Sequence, residues 1–347
     1  MPPSTETAKL GQALNRLAAI AFGFVHSQAL QTAVKLGVFD ALAERAMTAA
    51  ALASQLGVHP TALRRLLVVL VHLELLVRDG THFRNSELGQ FCASSAPVPI
   101  GKVSGIDPFY HMFEYLADAV RHNGPQWESA LGMTASDGFS ALYADPARLR
   151  EFAELMNAFS VPQGRLIAES FDFAPLTCIM DVAGGPGGQA IEIGVAHPHL
   201  RGVITDMEPV CVVAREYIEA AGLRDRFTAV AADLMTGPYP QGADVIILGH
   251  ILHDWSDETC RTILRNCHAA LPAGGTLLIS DSVLDEEFTG SSLDNLKDLI
   301  MLIANESDAR ERTRGEFGAL LAESGFDLVD VVRLDAPRDL VVGRKAS

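Results

Sequence analysis

The sequence predicts an α/β protein in which a C-terminal, doubly wound and mostly parallel sheet follows an N-terminal α-helical domain with a winged-helix pattern. Beyond Ser170, short apolar runs of strand length alternate with helix-like runs, which is typical of a doubly wound sheet. Before residue 105 the patterns are mostly helical and include a predicted hairpin. We therefore expect two domains, residues 1–105 and 106–347, and a helical linker and pocket-forming region over residues 106–170.

The composition is that of an ordinary globular protein. The chain has 347 residues, 48% of them hydrophobic, and a net charge of -16. This acidic balance argues against a nucleic-acid partner, which needs a basic face. The five cysteines form no C-x-x-C pair, the histidines lack metal-ligand spacing, and the first residues do not resemble a secretory signal. We therefore expect a cytoplasmic protein with no metal site. We also expect no membrane span, because the apolar run near Leu66–Val71 is too short.

The first predicted elements are helices from Leu10 to about Leu42. Within them the segment Ala18–Phe24 is nearly all apolar. A helix that is apolar on every side needs burial on every side. The second domain or a second subunit could cover it, and we favour a homodimer over internal packing.

A winged-helix pattern follows. A helix over residues 48–57, a second over residues 61–75 and a hairpin over residues 77–84 succeed one another. As a DNA-binding domain, this pattern would place Arg64 and Arg65 on the recognition helix. The absence of a basic cluster favours a dimerisation scaffold instead.

Seven strand-like runs follow Ser170, with helical patterns between most of them. Ligands of doubly wound sheets bind at the carboxyl ends of the strands. A short turn at Pro337 joins the last two runs, which predicts antiparallel pairing. The runs are Cys178–Val182, Val203–Asp206, Thr228–Ala231, Val245–Leu248, Thr276–Ser280, Leu328–Arg333 and Asp339–Gly343.

A glycine-rich turn after the first of these strands is the centre of the predicted site. Residues 179–190 read as a strand, a tight loop and a helix N-terminus, whose free N–H groups suit polar ligand atoms. The spacing Gly185-x-Gly187-x-x-Ala190, with Asp206 beyond it, also fits a loose dinucleotide fingerprint. The loop therefore predicts a nucleotide-like cofactor and leaves its identity open.

Acidic residues follow three successive strands at Asp181, Asp206 and Asp233. The ends of parallel strands line one crevice, so these carboxylates are expected close together. Asp206 can accept hydrogen bonds from both ribose hydroxyls. Asp233 can accept one from the exocyclic amine of adenine while Leu234 packs on the ring.

Five motifs stand together in the second half of the chain. They are D-V-A-G-G-P-G-G at 181–188, L-H-D-W-S-D-E at 252–258, L-P-A-G-G at 271–275, E-R-T-R-G-E-F at 311–317 and S-G-F at 324–326. They resemble the two-domain, caffeate-type family of S-adenosylmethionine-dependent small-molecule O-methyltransferases, whose bacterial members modify aromatic natural products. The segment V-K-L-G-V-F-D at 34–40 is similar to that family's dimerisation domain. The resemblance implies methyl transfer from S-adenosylmethionine to a hydroxyl of a small aromatic acceptor.

By this resemblance His253 is the general base, which would take the proton of a phenolic hydroxyl as the oxygen attacks the sulfonium methyl group. A phenol with a pKa of about 10 is mostly neutral at pH 7, whereas an imidazole with a pKa of about 6.5 is available as a base. Asp281 and Glu311 match the two carboxylates that would orient the ring. Asp254 and Asp257 are expected in the first turn of the following helix, where acids suit the helix dipole.

The other site residues are implied in the same way. The cofactor set is Gly184, Asp206, Asp233 and Leu234, with Ser160 and Gly249 near the methionine end. The acceptor set is Met156, Asn157, Phe159, His250, Met301 and Asn305.

Three positions depart from the family pattern. Ala183 replaces the first loop glycine, Pro209 stands one place late, and Asp281 replaces a longer glutamate. A shorter carboxylate would support His253 less, so a C- or N-methyltransferase acting on a related aromatic acceptor is an alternative. An NAD-dependent oxidoreductase and a winged-helix regulator with a ligand-sensing domain are the further alternatives.

Overall fold

The computed structural model describes residues 5–96, 107–334 and 337–346. Its contacts divide the chain into two compact units, Met1–Gly105 and Ile106–Ser347, which we call unit 1 and unit 2. The predicted fold class is confirmed, because a helical unit with a winged hairpin precedes a unit built on a mostly parallel sheet of seven strands.

Unit 1 contains the predicted winged-helix elements. The helix Ala49–Leu56 begins where Oγ1 of Thr48 accepts a hydrogen bond from the backbone N of Ala51 at 3.2 Å. A third short strand, Met47–Thr48, joins the hairpin antiparallel to His82–Asn85, which the sequence pattern did not predict. The elements are the helices Thr5–Ala21, Gly23–Lys35, Val38–Ala41, Ala49–Leu56, Pro60–His72 and Glu87–Gln90, and the strands Met47–Thr48, Leu76–Asp79 and His82–Asn85.

The first helix of unit 1 carries an exposed apolar stripe. Leu10, Leu14, Leu17 and Ile20 recur at helical spacing, and each side chain is at least 58% exposed in the single chain. Among the described residues no single helix is long and apolar enough to span a membrane, although the first two helices together, bent by 40°, match by length and composition.

Unit 2 begins with a helical region. Four aromatic residues of this region pack on one another, because the ring of Phe139 lies 6.0 to 6.3 Å from the rings of Trp127, Tyr143 and Phe152. These rings therefore form packing contacts within the region. Its helices are Asp107–Met112, Leu116–His122, Trp127–Leu131, Ala135–Ala144 and the long Pro146–Ser170, with a 3₁₀ turn at Phe113–Tyr115.

The sheet of unit 2 has the predicted seven strands. In order across the sheet they are Phe326–Val332, Leu340–Lys345, Thr276–Ser280, Val245–Gly249, Cys178–Val182, Arg201–Asp206 and Phe227–Ala231. The last five are parallel to one another, and Leu340–Lys345 is antiparallel to both of its neighbours, as predicted for the final pair.

Both faces of this sheet are buried. Along one central strand, Ile246 and Leu248 belong to one apolar cluster, whereas Val245 and Ile247 belong to the other. Successive side chains of a strand point to opposite faces, so helices on both sides are needed to cover them. These helices include Gly188–Ala196, Glu208–Ala220, Asp257–Ala270 and Arg314–Glu323. The helix Ser292–Ala304 instead packs on the helical region, where Ile303 and Ala304 join a separate apolar cluster.

A short parallel ladder outside the main sheet was not predicted. Val283–Leu284 pairs with Arg312–Thr313. It joins the E-R-T motif to the chain that leaves the strand Thr276–Ser280, so Glu311 is brought to the same end of the sheet as Asp281.

Candidate active site

The glycine loop runs along the carboxyl ends of two neighbouring strands. The backbone N of Gly184 donates to the carbonyl of Thr205 at 3.1 Å, and that of Gly185 donates to Oδ2 of Asp206 at 2.8 Å. Gly185 has a φ of 57°, and a methyl group there would meet no atom within 4 Å. The loop is therefore bare at Gly185, where a ligand can approach the backbone.

The long helix Pro146–Ser170 packs closely on this loop. A Cβ atom at Gly188 would lie 2.6 Å from Oδ1 of Asn157 and 2.8 Å from Cβ of Ser160. Ser160 is therefore beside the loop. Asn157, which the resemblance put in the acceptor set, also lies against the loop, and its buried Oδ1 has no hydrogen-bond partner among the described residues.

The next two strand ends carry the predicted acids. The backbone N of Ala232 donates to the carbonyl of Asp206 at 3.0 Å, so the two strand ends adjoin. Burial raises the pKa of Asp206, although hydrogen bonds from the backbone of Met207 and Gly185 act in the opposite direction. Oδ1 of Asp233 accepts two backbone hydrogen bonds, from the residues two and three places further along, and so shapes its own loop.

A glutamine that the sequence analysis did not single out lies at the centre of this crevice. Gln189 is 3% exposed, its Nε2 lies 3.5 Å from Oγ of Ser280, and its Oε1 has no partner among the described residues. A Cβ at Gly249 would lie 2.5 Å from that Oε1 atom, so a larger residue there would displace the amide of Gln189. In the sequence, a polar residue followed by apolar ones in the first turn after the glycine loop is the signal that could have identified it.

These features fit a cationic nucleoside. Asp206 offers a carboxylate at the bare loop, and the unpartnered amide oxygens of Asn157 and Gln189 can accept hydrogen bonds from an ammonium or hydroxyl group. A buried acceptor without a partner is costly, and a ligand donor would remove that cost.

The predicted base lies in a buried pair. Nδ1 of His253 is 3.0 Å from Oε1 of Glu311, and the two side chains are 5% and 0% exposed. The carboxylate of Asp281 is also fully buried, but neither of its oxygens has a hydrogen-bond partner among the described residues. The expectation that two carboxylates orient the ring is therefore corrected. Of these two carboxylates, only Glu311 forms a hydrogen bond with the ring.

Asp281 still acts on His253 through its charge. Burial lowers the pKa of His253. The carboxylates of Asp281, Asp254 and Glu311 together have a larger effect in the opposite direction, so the pKa is raised to about 9. The free site therefore stabilises the imidazolium. For Asp281 itself, burial raises the pKa, and the charge of His253 opposes this.

Asp254 also belongs to the site, contrary to the expectation that it lies in the first turn of the following helix. It ends a 3₁₀ turn, Leu252–Asp254, and the helix begins later, at Asp257. Its Oδ1 lies 3.5 Å from Nε2 of His253 and accepts a hydrogen bond from Nδ2 of Asn305 at 2.7 Å. The carboxylate is therefore held beside the nitrogen that faces away from Glu311.

One buried arginine connects the two motifs that carry His253 and Glu311. The guanidinium of Arg312 donates to the carbonyls of Leu252 and Trp255 at 2.7 and 2.8 Å. It also bonds to the carboxylate of Asp257 at 2.8 and 3.0 Å. The structural interpretation of Asp257 is therefore supported by geometry, because this residue fixes Arg312.

Of the residues expected to bind the acceptor, His250 lies beside His253. The ring of His250 lies 6.4 Å from the rings of both His253 and Phe159, and its Nε2 is buried without a partner among the described residues. His250 has a φ of 63°, a conformation that is strained for a non-glycine residue. Burial and the charge of Arg338 lower the pKa of His250 well below its usual value, so the ring is neutral.

Met301 and Asn305, also from the expected acceptor set, lie near Asp254. Met301 is 9% exposed, and Nδ2 of Asn305 lies 3.2 Å from its Sδ. Met156 is half-buried on the same helix as Phe159. Leu234 packs on the apolar cluster behind the crevice. Within the part of the chain that the structure describes, no three His, Cys, Asp or Glu side chains form an arrangement that could hold a metal ion.

Comparison with known proteins matches both units to family models. A model described as an O-methyltransferase domain matches residues 113–327, and one described as an O-methyltransferase dimerisation domain matches residues 18–95. Acetylserotonin O-methyltransferase of Gallus gallus is 33% identical over 93% of this chain and 95% of its own length. The 3-hydroxy-5-methyl-1-naphthoate 3-O-methyltransferase of Streptomyces sahachiroi is 33% identical over 94% of each. The crystal structure of human N-acetylserotonin methyltransferase in complex with S-adenosylmethionine covers 100% of both chains, with 29% identity and a TM-score of 0.88.

Proposed function

The chain belongs to the S-adenosylmethionine-dependent O-methyltransferases, which act on aromatic acceptors, and we propose that His253 is the base that takes the proton from the acceptor's hydroxyl. The family assignment replaces the oxidoreductase and regulator alternatives. The observation that carries the proposal is the buried hydrogen bond between His253 and Glu311.

The glycine loop and the strand ends hold the cofactor in this proposal. S-adenosylmethionine, when bound, supplies an electrophilic methyl group on a sulfonium. Asp206 accepts hydrogen bonds from the ribose hydroxyls, Asp233 binds the adenine amine, and Leu234 packs on the ring. The close packing at Gly184, Ser160 and Gly249 supports placing the methionine end beside Asn157 and Gln189, whose unpartnered oxygens suit its ammonium group.

The protein's own part in the reaction is to position the acceptor and move one proton. Glu311 accepts a hydrogen bond from Nδ1–H of His253, so Nε2 is the basic atom. The acceptor's proton passes to Nε2, and Glu311 and Asp281 stabilise the resulting imidazolium through their charges. General-base assistance of this kind contributes about 10² to 10⁴ in rate, and positioning supplies the rest.

The acceptor is a small hydroxylated aromatic molecule. Met156, Phe159 and Met301 offer apolar surface for a ring, whereas His250 and Asn305 offer polar atoms beside His253. Neutral His250 can donate or accept one hydrogen bond through its unpartnered Nε2.

We also infer that the protein is a homodimer. The match to a dimerisation domain and the exposed stripe of unit 1 both support a second copy as the occupant of that surface.

The test is a methyl-transfer assay with labelled S-adenosylmethionine against catechols, hydroxyquinones and hydroxy-aromatic acids. His253→Asn is compared with wild type and with His72→Asn, which alters an exposed histidine of unit 1. We expect the His253 variant to lose at least about 10² in kcat while it still binds S-adenosylhomocysteine. Transfer at the wild-type rate by this variant would overturn the base assignment.

A further inference from the structure

The residue that precedes the last strand is held at the active-site edge of the sheet. The strand Leu340–Lys345 runs antiparallel to Thr276–Ser280, so its first residues lie at the carboxyl end of that neighbour. The backbone N of Asp339 donates to the carbonyl of Asp281 at 3.0 Å. Nε2 of Gln163 donates to the carbonyl of Arg338 at 3.2 Å. The backbone of Arg338 is thus fixed beside the site from two directions.

Within the part of the chain that the structure describes, the side chain of Arg338 has no hydrogen-bond or ion-pair partner. Its Nε is buried without a hydrogen-bond partner, and the described residues provide no carboxylate within ion-pair distance of its guanidinium. The nearby cations differ in this respect. Lys297 bonds to Asp294, to Ser282 and to a backbone carbonyl, and Arg333 pairs with Asp339. An unmet buried guanidinium N–H carries a desolvation cost that a ligand oxygen would remove.

The charge of the guanidinium also acts on four ionisable groups around His253. Its charge lowers the pKa values of His250, Asp254, Asp281 and Glu311, although burial is the largest influence on each of them. Together with the backbone hydrogen bond from Asp339 to Asp281, these effects indicate that the guanidinium lies near the four groups. The proposed function puts the acceptor beside His250 and His253, in this part of unit 2.

We propose that Arg338 binds a carboxylate of the acceptor, and that the enzyme therefore prefers a hydroxylated aromatic acid over the corresponding neutral phenol. Guanidinium groups bind carboxylates through two parallel hydrogen bonds, which fix the plane of the acid as well as its position. That contact would orient the acceptor's ring hydroxyl toward His253. The inference rests on the proposed function, since it names the acceptor class of the same site.

The competing explanation is that Arg338 only offsets the negative charge of Asp281 and Glu311. Under that explanation its removal changes the pH dependence of the reaction and affects acidic and neutral acceptors alike. If Arg338 binds the acceptor's carboxylate, its removal affects only acceptors that carry a carboxylate. The effect then appears in KM more than in kcat.

The test compares a hydroxynaphthoate with the naphthol that carries its hydroxyl at the same ring position. Arg338→Gln removes the charge, Arg338→Lys keeps it without the bidentate geometry, and Arg314→Gln removes an exposed charge elsewhere in unit 2. For Arg338→Gln we expect KM for hydroxynaphthoate to rise about 10- to 100-fold, kcat to change less than about twofold, and the naphthol constants to stay as in wild type. Arg338→Lys should recover part of the loss, and Arg314→Gln should behave as wild type. Equal changes for both acceptors would overturn the proposal.

A binding measurement separates this proposal from the proposed function. Calorimetric titration of wild type and Arg338→Gln with naphthoate and naphthamide, which have no hydroxyl to methylate, does not depend on turnover. Preference of wild type for naphthoate, lost in the variant, supports the carboxylate site even if no acceptor is methylated. Equal affinity of wild type for the two probes contradicts it even if methyl transfer is observed, and this comparison stands if the variants do not fold.

Discussion

Nδ1 of His253 lies 3.0 Å from Oε1 of Glu311 in an environment from which solvent is almost excluded. The two residues are 58 positions apart in the chain. Arg312, next to Glu311, bonds to the backbone on both sides of the turn that carries His253. This arrangement fixes the orientation of the imidazole before any ligand binds and favours a proton on its Nδ1.

Glu311→Gln tests the carboxylate of this pair. The amide keeps the shape of the side chain but removes the charge that stabilises the imidazolium, so we expect kcat to fall by about 10² or more. Cofactor binding should be unchanged, because the glycine loop is not altered. Steady-state kinetics and titration with S-adenosylhomocysteine measure the two effects. A variant with wild-type kcat would show that His253 needs no carboxylate.

The pH dependence follows from the surroundings of His253. Because its carboxylate neighbours raise its pKa to about 9, the imidazole is mostly protonated at pH 7 in the free enzyme. Only the neutral form can accept a proton, so kcat/KM should rise with pH, about tenfold per unit, and level off near pH 9. Glu311→Gln should move this midpoint to lower pH.

Two acceptors with different phenol pKa values serve as the control for this profile. A midpoint that follows the acceptor rather than the enzyme would assign the titration to the phenol. It would then argue against His253 as the titrating group.

Ala183→Gly tests the departure from the glycine motif. Ala183 has a φ of 53°, a region that costs about 1–2 kcal/mol for a residue with a Cβ atom, and glycine recovers most of this despite its larger chain entropy. We expect the free energy of unfolding to rise by about 0.5–1 kcal/mol. Denaturant unfolding of the cofactor-free protein measures it.

Gly185→Ala is the matched reverse change. Its φ is 57°, and an added methyl group would meet no atom within 4 Å. The substitution therefore measures the cost of the left-handed backbone conformation without a steric clash. It should destabilise by about 1 kcal/mol. If both variants are as stable as wild type, the loop does not hold these conformations.

The apolar stripe of unit 1 predicts the effect of a paired substitution on assembly. Leu14→Glu with Leu17→Glu places two charges on the exposed stripe, and we expect the dimer to dissociate. Val212→Glu, at a side chain that is 48% exposed in unit 2, is the control and should leave the dimer intact. Sedimentation velocity distinguishes the two. A dimeric double variant would exclude this stripe as the interface.

Local patterns in the sequence were enough to predict the seven-stranded sheet of unit 2. The alternation of strand-like and helix-like runs predicts all seven strands, because burial on both faces of a parallel sheet demands short continuous apolar segments. It also puts Asp206 and Asp233 at adjacent strand ends. The motifs identify His253 and Glu311 by resemblance, although nothing local to either residue reveals that the two side chains meet.

The sequence by itself thus determined the fold class, the glycine loop, the strand-end acids and the residues that match the family. Only the tertiary structure decided that Glu311 rather than Asp281 bonds to His253, that Asp254 stands beside its Nε2, and that Nε of Arg338 is buried without a partner among the described residues. The physical reason is range. Periodicity and capping act over a few residues, whereas these contacts depend on loops and on the short ladder between Val283–Leu284 and Arg312–Thr313, which join segments far apart in the chain.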